Sequence, residues 1–212
     1  MRMPSTTEPV RDLEDLHRLE QYFRARGEWR NRAMLILGCC TALRITDLLG
    51  LTWGRVYDFS RMKFKDTFPI QERKTGKRKV VALNRQAVDA LMDWYNHSDI
   101  EPEEDGYIFA NSGRKGYGVK GMPITRQQAW RVITRAATAC GVPGAISCHS
   151  LRKTFGYHAI KDNGVNPAIL MKIYNHTSYE VTERYLGITE DQANEVYMGM
   201  DLFGEGPGGN RK

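Results

Sequence analysis

Residues 149–185 read HSLRKTFGYHAIKDNGVNPAILMKIYNHTSYEVTERY, and this stretch carries the most specific pattern in the chain. It opens with His149 and Arg152, whose spacing places both side chains on one face of a helix. His176 follows, and Tyr185 stands nine residues after it. Each of these side chains taken alone is more often structural than catalytic, so only their order and spacing are informative.

Two earlier segments extend this series. Residues 42–48 read ALRITDL, which predicts a short helix that begins near Arg44 and carries Asp47 in its first turn. Lys74 precedes a Thr-Gly pair at the turn of a predicted basic hairpin. The full order of candidate catalytic residues is Arg44, Lys74, His149, Arg152, His176 and Tyr185.

Length and composition indicate an ordinary globular domain. The chain has 212 residues, of which 41% are hydrophobic and 26% charged. No apolar run reaches the roughly 20 residues that a membrane helix needs, and the first ten residues contain no apolar signal, so we expect a cytoplasmic location. The four cysteines form no CxxC pair and lack further metal ligands nearby. We therefore expect reduced thiols, no bound metal and no cofactor.

The positive charge is concentrated in one part of the chain. The net charge is +6, yet residues 61–85 hold nine basic and only two acidic residues, whereas residues 176–212 hold three basic and seven acidic ones. A local basic surface is what binding to a polyanion requires, although a solvated hairpin has the same composition. The candidate DNA contacts are Arg73, Lys77, Arg78, Lys79, Arg114, Lys115, Lys120 and Arg126.

The periodicity predicts a mainly α fold with one small antiparallel β-sheet (α+β) in a single domain over residues 1–203. The sheet is predicted at residues 60–83, and Asn84 and Thr125 are predicted to cap the helices that follow them. We expect residues 204–212 to form a disordered tail. A first helix is predicted from residue 13 up to a stop at Gly27, and further helices at residues 29–41, 126–140, 150–162, 167–175, 178–186 and 189–201.

The ordered series of Arg, Lys, His-x-x-Arg, His and Tyr resembles the catalytic domain of the tyrosine recombinase (phage integrase) family. The resemblance covers residues 13–186, and its most specific part is the His-x-x-Arg with the second His and the spacing to Tyr185. Two departures stand out. Asp47 occupies a position where the family more often has Glu, and Tyr174-Asn175 replaces the family's usual Leu-Gly.

The resemblance implies a role for each residue of the series. Arg44 and Arg152 would stabilise the charge on a scissile phosphate, because a guanidinium is planar and permanently charged. Tyr185 would be the nucleophile, His149 the base, and Lys74 the acid that protonates the leaving 5′-oxygen. His176 would donate a hydrogen bond to the phosphate. Asp47 would orient the local backbone or Arg44 without taking part in the chemistry.

The family also implies double-stranded DNA as partner, a homotetramer on paired sites, and room for an accessory DNA-bending or excisionase protein. No N-terminal core-binding domain fits before residue 12, so the chain is either an excised catalytic domain or a compact recombinase similar to the fimbrial invertases. The amphipathic segment 189–201 either packs on its own domain or docks on a neighbouring subunit. Two other functions remain open: a catalytically silent DNA-binding regulator, and a relaxing enzyme resembling the type IB topoisomerases.

Overall fold

The computed structural model describes residues 7–98, 100–113 and 120–176, together with positions 178, 197, 198 and 200. These residues fold into helices that surround a central helix, with two short hairpins at one edge. The helices are α1 (Leu13–Ala25), α2 (Trp29–Thr41), α3 (Ile45–Leu49), α4 (Trp53–Val56), α5 (Arg85–Asn96), α6 (Arg126–Ala139), α7 (Cys148–Lys161) and α8 (Pro167–Tyr174). The strands are β1 (Tyr57–Asp58), β2 (Lys63–Phe64), β3 (Thr67–Gln71) and β4 (Arg78–Ala82).

Local capping signals in the sequence fix several helix starts. The side chain of Asn84 accepts a hydrogen bond from the backbone N–H of Ala87 and begins α5, as predicted. Thr125 and Gln128 form the predicted capping box at the start of α6. α7 begins earlier than predicted, because Ser147 caps it. Its first two turns therefore hold both His149 and Arg152.

The strands depart from the single predicted sheet. The structure has two separate two-stranded antiparallel sheets, β1–β2 and β3–β4. Met62, which the sequence placed in a strand, lies in the β1–β2 turn at φ 50° and is 80% exposed. In the β3–β4 hairpin, Phe68 pairs with Val81 and Ile70 pairs with Lys79. Because alternate residues share a face, Lys79 lies on the same side as the buried Val81.

α2 is the centre of the packing and contacts α1, α5 and α7. A Cβ on Gly38 of α2 would lie 2.9 Å from the Cβ of Leu151 on α7, so only glycine permits this approach. The main core draws on every helix from α1 to α7 and on the β3–β4 hairpin. A smaller cluster formed by Ala42, Leu170 and Tyr174 joins α8 to the end of α2. The same packing therefore positions α7, which carries His149 and Arg152, and α8, which His176 follows.

Several predictions fall outside the described residues. These are the helices at 178–186 and 189–201, apart from positions 178, 197, 198 and 200, and the tail at 204–212. Among the residues that the structure does describe, no helix combines the length and apolar character needed to cross a bilayer.

Candidate active site

Arg44 lies at the amino end of α3 and forms an ion pair with the β3–β4 hairpin. It occupies the N-cap position of α3, and its Nη1 lies 2.6 Å from the Oε2 of Glu72. Glu72 directly follows β3 and is only 1% exposed. Burial would raise the pKa of Glu72, but hydrogen bonds from Thr75 and Arg44 and the charges of Arg44 and Lys79 lower it. Glu72 is therefore an ionised partner that fixes the direction of Arg44.

Asp47 makes a second link between α3 and the hairpin. Its carboxylate is buried, and its Oδ1 accepts a hydrogen bond of 2.9 Å from the backbone N–H of Arg73. Asp47 thus orients the hairpin backbone, while Glu72 holds Arg44. Lys74 follows at the exposed turn, where Gly76 takes a left-handed conformation with φ 67°.

Arg152 is a buried cation held by the carboxyl ends of two helices, α2 and α8. It is 1% exposed, and its guanidinium donates to the carbonyl oxygens of Ala42 and, at 3.0 Å, of Tyr174. The ring of Tyr174 lies 4.4 Å from the guanidinium carbon, and its hydroxyl donates to the carbonyl of Arg152 at 2.8 Å. These contacts, which orient the Arg152 side chain, therefore come from the ends of α2 and α8 and not from its own helix, α7.

His176 follows α8 through one tight turn. Asn175 adopts the left-handed conformation at φ 55°, a role that glycine often takes at the end of a helix. The backbone N–H of His176 then donates to the carbonyl of Met171 at 3.0 Å. The imidazole centroid lies 5.0 Å from that of Tyr174. Asn175 therefore ends α8 in the left-handed conformation that glycine adopts most readily.

Electrostatic effects connect the two histidines with the two arginines. Loss of water, followed by the charges of Lys153, Arg152, Arg44 and Lys74, lowers the pKa of His149 to about 4. Burial and the charges of Arg152 and Arg44 likewise lower the pKa of His176 to about 4, against the opposing charge of Glu72. Both imidazoles are therefore neutral at pH 7 in the absence of an anion. A bound phosphate would offset the surrounding positive charge.

The candidate DNA contacts divide into two groups. The exposed ones among the described residues are Arg73, Lys77, Arg78, Lys120 and Arg126. Lys77 also donates to the carbonyl of Asn175 at 3.3 Å. Lys79 differs, because its side chain is 10% exposed and its Nζ donates to the carbonyl of Ile173 at 2.9 Å. Arg114, Lys115 and the candidate nucleophile Tyr185 lie outside the described residues.

Sequence reasoning missed two residues of this site. Glu72 is one of two acids within a basic run, a position that allows an ion pair but gives no sign that the pair is buried. Tyr174 was noted only as a departure from Leu, although it stacks on Arg152. In the part of the chain that is described, no three His, Cys, Asp or Glu side chains come together as metal ligands could.

Comparisons with known proteins identify the family to which the chain belongs. The model of the Phage integrase family matches residues 11–192. The probable integrase/recombinase YoeC of Bacillus subtilis (strain 168) is 33% identical over 190 residues, which cover 90% of this chain and 94% of that protein. Tyrosine recombinase XerD of Mycobacterium leprae (strain TN) is 30% identical over 178 residues, covering 80% of this chain but only 52% of that protein.

A solved structure shares the fold. The Tn1549 transposon integrase, solved in complex with a circular intermediate DNA, superposes with a TM-score of 0.68 at 17% identity, covering 94% of this chain and 67% of that chain. At this identity the likeness shows the fold alone, whereas the family match and YoeC show the kinship. The chain belongs to the phage integrase family and is a site-specific tyrosine recombinase.

Proposed function

We propose that the chain cleaves and rejoins double-stranded DNA through a 3′-phosphotyrosine formed by Tyr185. The observation that supports this most is the shared electrostatic field: the charges of Arg44 and Arg152 both act on His149 and on His176. The two arginines, at the start of α3 and in α7, and the two histidines, in α7 and just after α8, therefore lie close enough to influence one another. Such an arrangement suits an anion with developing negative charge.

The arginines would take the place that divalent metals hold in many nucleases. Arg152 is buried, so solvent screens its charge poorly, and its contacts with Ala42 and Tyr174 hold it in place before the substrate arrives. Arg44 is 18% exposed in its side chain and is oriented by Glu72. Charge that is already in position costs no reorganisation when the pentavalent phosphorus forms.

The proton transfers follow from the same arrangement. The Oη of Tyr185 forms a bond to phosphorus as the bond from phosphorus to the 5′-oxygen breaks. A tyrosine hydroxyl has an ordinary pKa of about 10, so His149, neutral at pH 7, accepts its proton. Lys74 on the exposed turn gives a proton to the 5′-oxygen, and His176 donates a hydrogen bond to a non-bridging oxygen. The phosphotyrosine keeps the bond energy, so rejoining needs no ATP.

The substrate proposed here is duplex DNA bound along the basic surface of the hairpin and α6. The transposon integrase with a similar fold was solved with DNA. We propose that Arg73, Lys77, Arg78, Lys120 and Arg126, together with Arg114 and Lys115 from outside the described residues, contact phosphates. Strand exchange between two sites then requires a homotetramer, in which residues 189–201 dock on the neighbouring subunit. An accessory DNA-bending or excisionase protein would set the direction of recombination.

Covalent trapping tests the nucleophile directly. The protein is mixed with nicked duplexes drawn from the DNA that flanks its own gene and is quenched in detergent, and the protein–DNA adduct is quantified. We expect an adduct with the wild type and with the control Tyr179→Phe, and none with Tyr185→Phe, whose DNA affinity stays within about two-fold. An adduct that persists in Tyr185→Phe would overturn the assignment.

The adduct assay, together with two further measurements, separates the two alternative functions from a recombinase. A silent regulator would bind DNA without forming an adduct in any variant. A relaxing enzyme would form the adduct as a monomer and relax a supercoiled plasmid without exchanging paired sites. Sedimentation of the protein with a paired-site substrate, alongside a plasmid relaxation assay, tells these cases from a recombinase.

A further inference from the structure

A buried ion pair on the inner side of the β3–β4 hairpin joins Glu72, which orients Arg44, to Lys79, which has no role in the chemistry described above. Glu72 and Lys79 lie diagonally across the hairpin, because Lys79 pairs with Ile70, and the Nζ of Lys79 lies 3.6 Å from the Oε1 of Glu72. Their side chains are 1% and 10% exposed. Burying two charges costs more than their attraction commonly returns, so such a pair is weak evidence for stability. The role of this pair is therefore to be found in the positions of the groups that it contacts, and not in the stability of the fold.

The contacts of the pair reach two separate parts of the active site. Glu72 binds Arg44 through its other oxygen, Oε2, at 2.6 Å, and that oxygen also accepts from the hydroxyl of Thr75 at 2.7 Å. Lys79 donates to the carbonyl of Ile173 at 2.9 Å, in the last turn of α8. The last carbonyls of a helix lack partners within the helix and carry partial negative charge, so a buried ammonium suits this position.

We propose that Glu72 and Lys79 form an anchor that fixes the hairpin and the carboxyl end of α8 relative to Arg44. The anchor comprises these two side chains, the guanidinium of Arg44 and the carbonyl of Ile173. Both Glu72 and Lys79 are then positioning residues for strand cleavage. They act on the phosphate through Arg44 and through His176, which lies three residues beyond Ile173. The inference rests on the function proposed above, since it assigns roles within the same site.

The groups that face Lys79 support a structural ammonium. Glu72 comes from the hairpin, Arg44 from the start of α3, and Arg152 from α7. Burial and the charge of Arg152 lower the pKa of Lys79 to about 8, while Glu72 opposes this change. Lys79 therefore remains mainly protonated at neutral pH and keeps its N–H donors for Ile173. Lys74, by contrast, lies at the exposed turn, where it can approach a phosphate.

Three variants test the anchor. Lys79→Met keeps the length of the side chain but removes the charge and the donors. Lys79→Arg keeps both, and Glu72→Gln keeps the volume without the charge. Lys172→Met, an exposed lysine of α8 with no role in the site, is the matched control. All are compared with the wild type for folding by circular dichroism, for Kd on a nicked duplex, and for the rate of adduct formation at saturating DNA.

We expect Lys79→Met and Glu72→Gln to form the adduct roughly ten- to a hundred-fold more slowly at saturating DNA, because small misplacements cost rates of this size. Their Kd should stay within about three-fold of wild type. Lys79→Arg should recover to within about three-fold of the wild-type rate, and Lys172→Met should be unchanged. A folded Lys79→Met that cleaves at the wild-type rate would overturn the anchor.

Amide hydrogen exchange without DNA provides a readout that does not depend on activity. Lys79→Met should lose protection at residues 72–77 and 170–176, whereas Lys172→Met should not. Unchanged exchange in Lys79→Met overturns the anchor even if the rate falls. Failure of the wild type to form an adduct would defeat the proposed function instead, and the exchange result would then decide whether the hairpin and α8 are coupled.

Discussion

Replacing Gly156 with alanine would place a methyl group against the side chain that holds Arg152. Gly156 lies in the interior of α7, one turn after Arg152. A Cβ at this position would overlap the hydroxyl oxygen of Tyr174 and would lie 3.2 Å and 3.3 Å from its Cζ and Cε2. Removing that hydroxyl in Tyr174→Phe would leave only tight ring contacts. The two substitutions should therefore interact strongly.

The magnitudes of three terms, the steric overlap, the helix propensity and the hydrogen bond, decide the outcome. Overpacking in Gly156→Ala costs about 1–3 kcal/mol, and the better helix propensity of alanine returns about 1 kcal/mol, so we expect a net loss of about 1 kcal/mol. Tyr174→Phe loses one buried hydrogen bond, worth about 1 kcal/mol. In the double variant the overlap disappears, and the helix-propensity gain offsets the missing hydrogen bond. We expect its stability to be close to that of the wild type.

Urea unfolding of the wild type, both single variants and the double variant measures this coupling. Independent effects would sum to a loss of about 2 kcal/mol, equivalent to roughly 4–8 °C in Tm for a chain of this size. The geometry instead predicts a coupling free energy of about 2 kcal/mol that cancels the sum. Losses that add to within about 0.5 kcal/mol would refute the close approach of Tyr174 to Gly156.

Two further predictions concern acid titration and the hairpin. The pKa values of His149 and His176 are lower in the folded chain, so the unfolded chain takes up protons first as the pH falls. The free energy of unfolding should therefore be unaffected by these groups above pH 6.5 and should decrease as the pH falls from 6.5 towards 4. Urea unfolding between pH 7 and 4.5 should show a smaller acid loss in the double His→Gln variant; an equal loss would contradict the assignment. Asp47→Ala removes the buried acceptor of the Arg73 N–H and should cost about 1–3 kcal/mol, whereas Asp47→Asn, which keeps an acceptor oxygen, should cost less in the same assay.

Features with a local cause could be predicted from the sequence. The caps at Asn84 and Thr125 depend on side chains that bond to a backbone N–H three residues away, so a short window contains all the information. The β3–β4 hairpin likewise follows from alternation around a turn with Gly76. The split into two sheets was missed, because Met62 reads as an apolar strand residue although it occupies a turn.

The geometry of the candidate site depends on contacts between distant residues, which carry no local signal. Arg44 pairs with Glu72, and Arg152 with the ends of α2 and α8; none of these pairs lies within one element. Lys79 is an intermediate case. Lys79 lies two residues before the buried Val81 on β4, and alternate residues of a strand share a face, so the pattern predicts an inward side chain. Its charge suggested a surface role instead, and only the structure shows the carbonyl of Ile173 that receives it.

Tyr174 and Asn175, which depart from the family pattern before His176, each fit the fold for a separate physical reason. The chain must turn sharply after α8 to present His176, and Asn175 accepts the left-handed conformation at lower cost than most other residues. Tyr174, larger than leucine, fits because Gly156 leaves space, and its ring covers a guanidinium that is removed from water. Such a desolvated cation–π contact is worth about 2 kcal/mol. A leucine at 174 would need another group to cover Arg152, so Tyr174 and Gly156 should be replaced together or not at all.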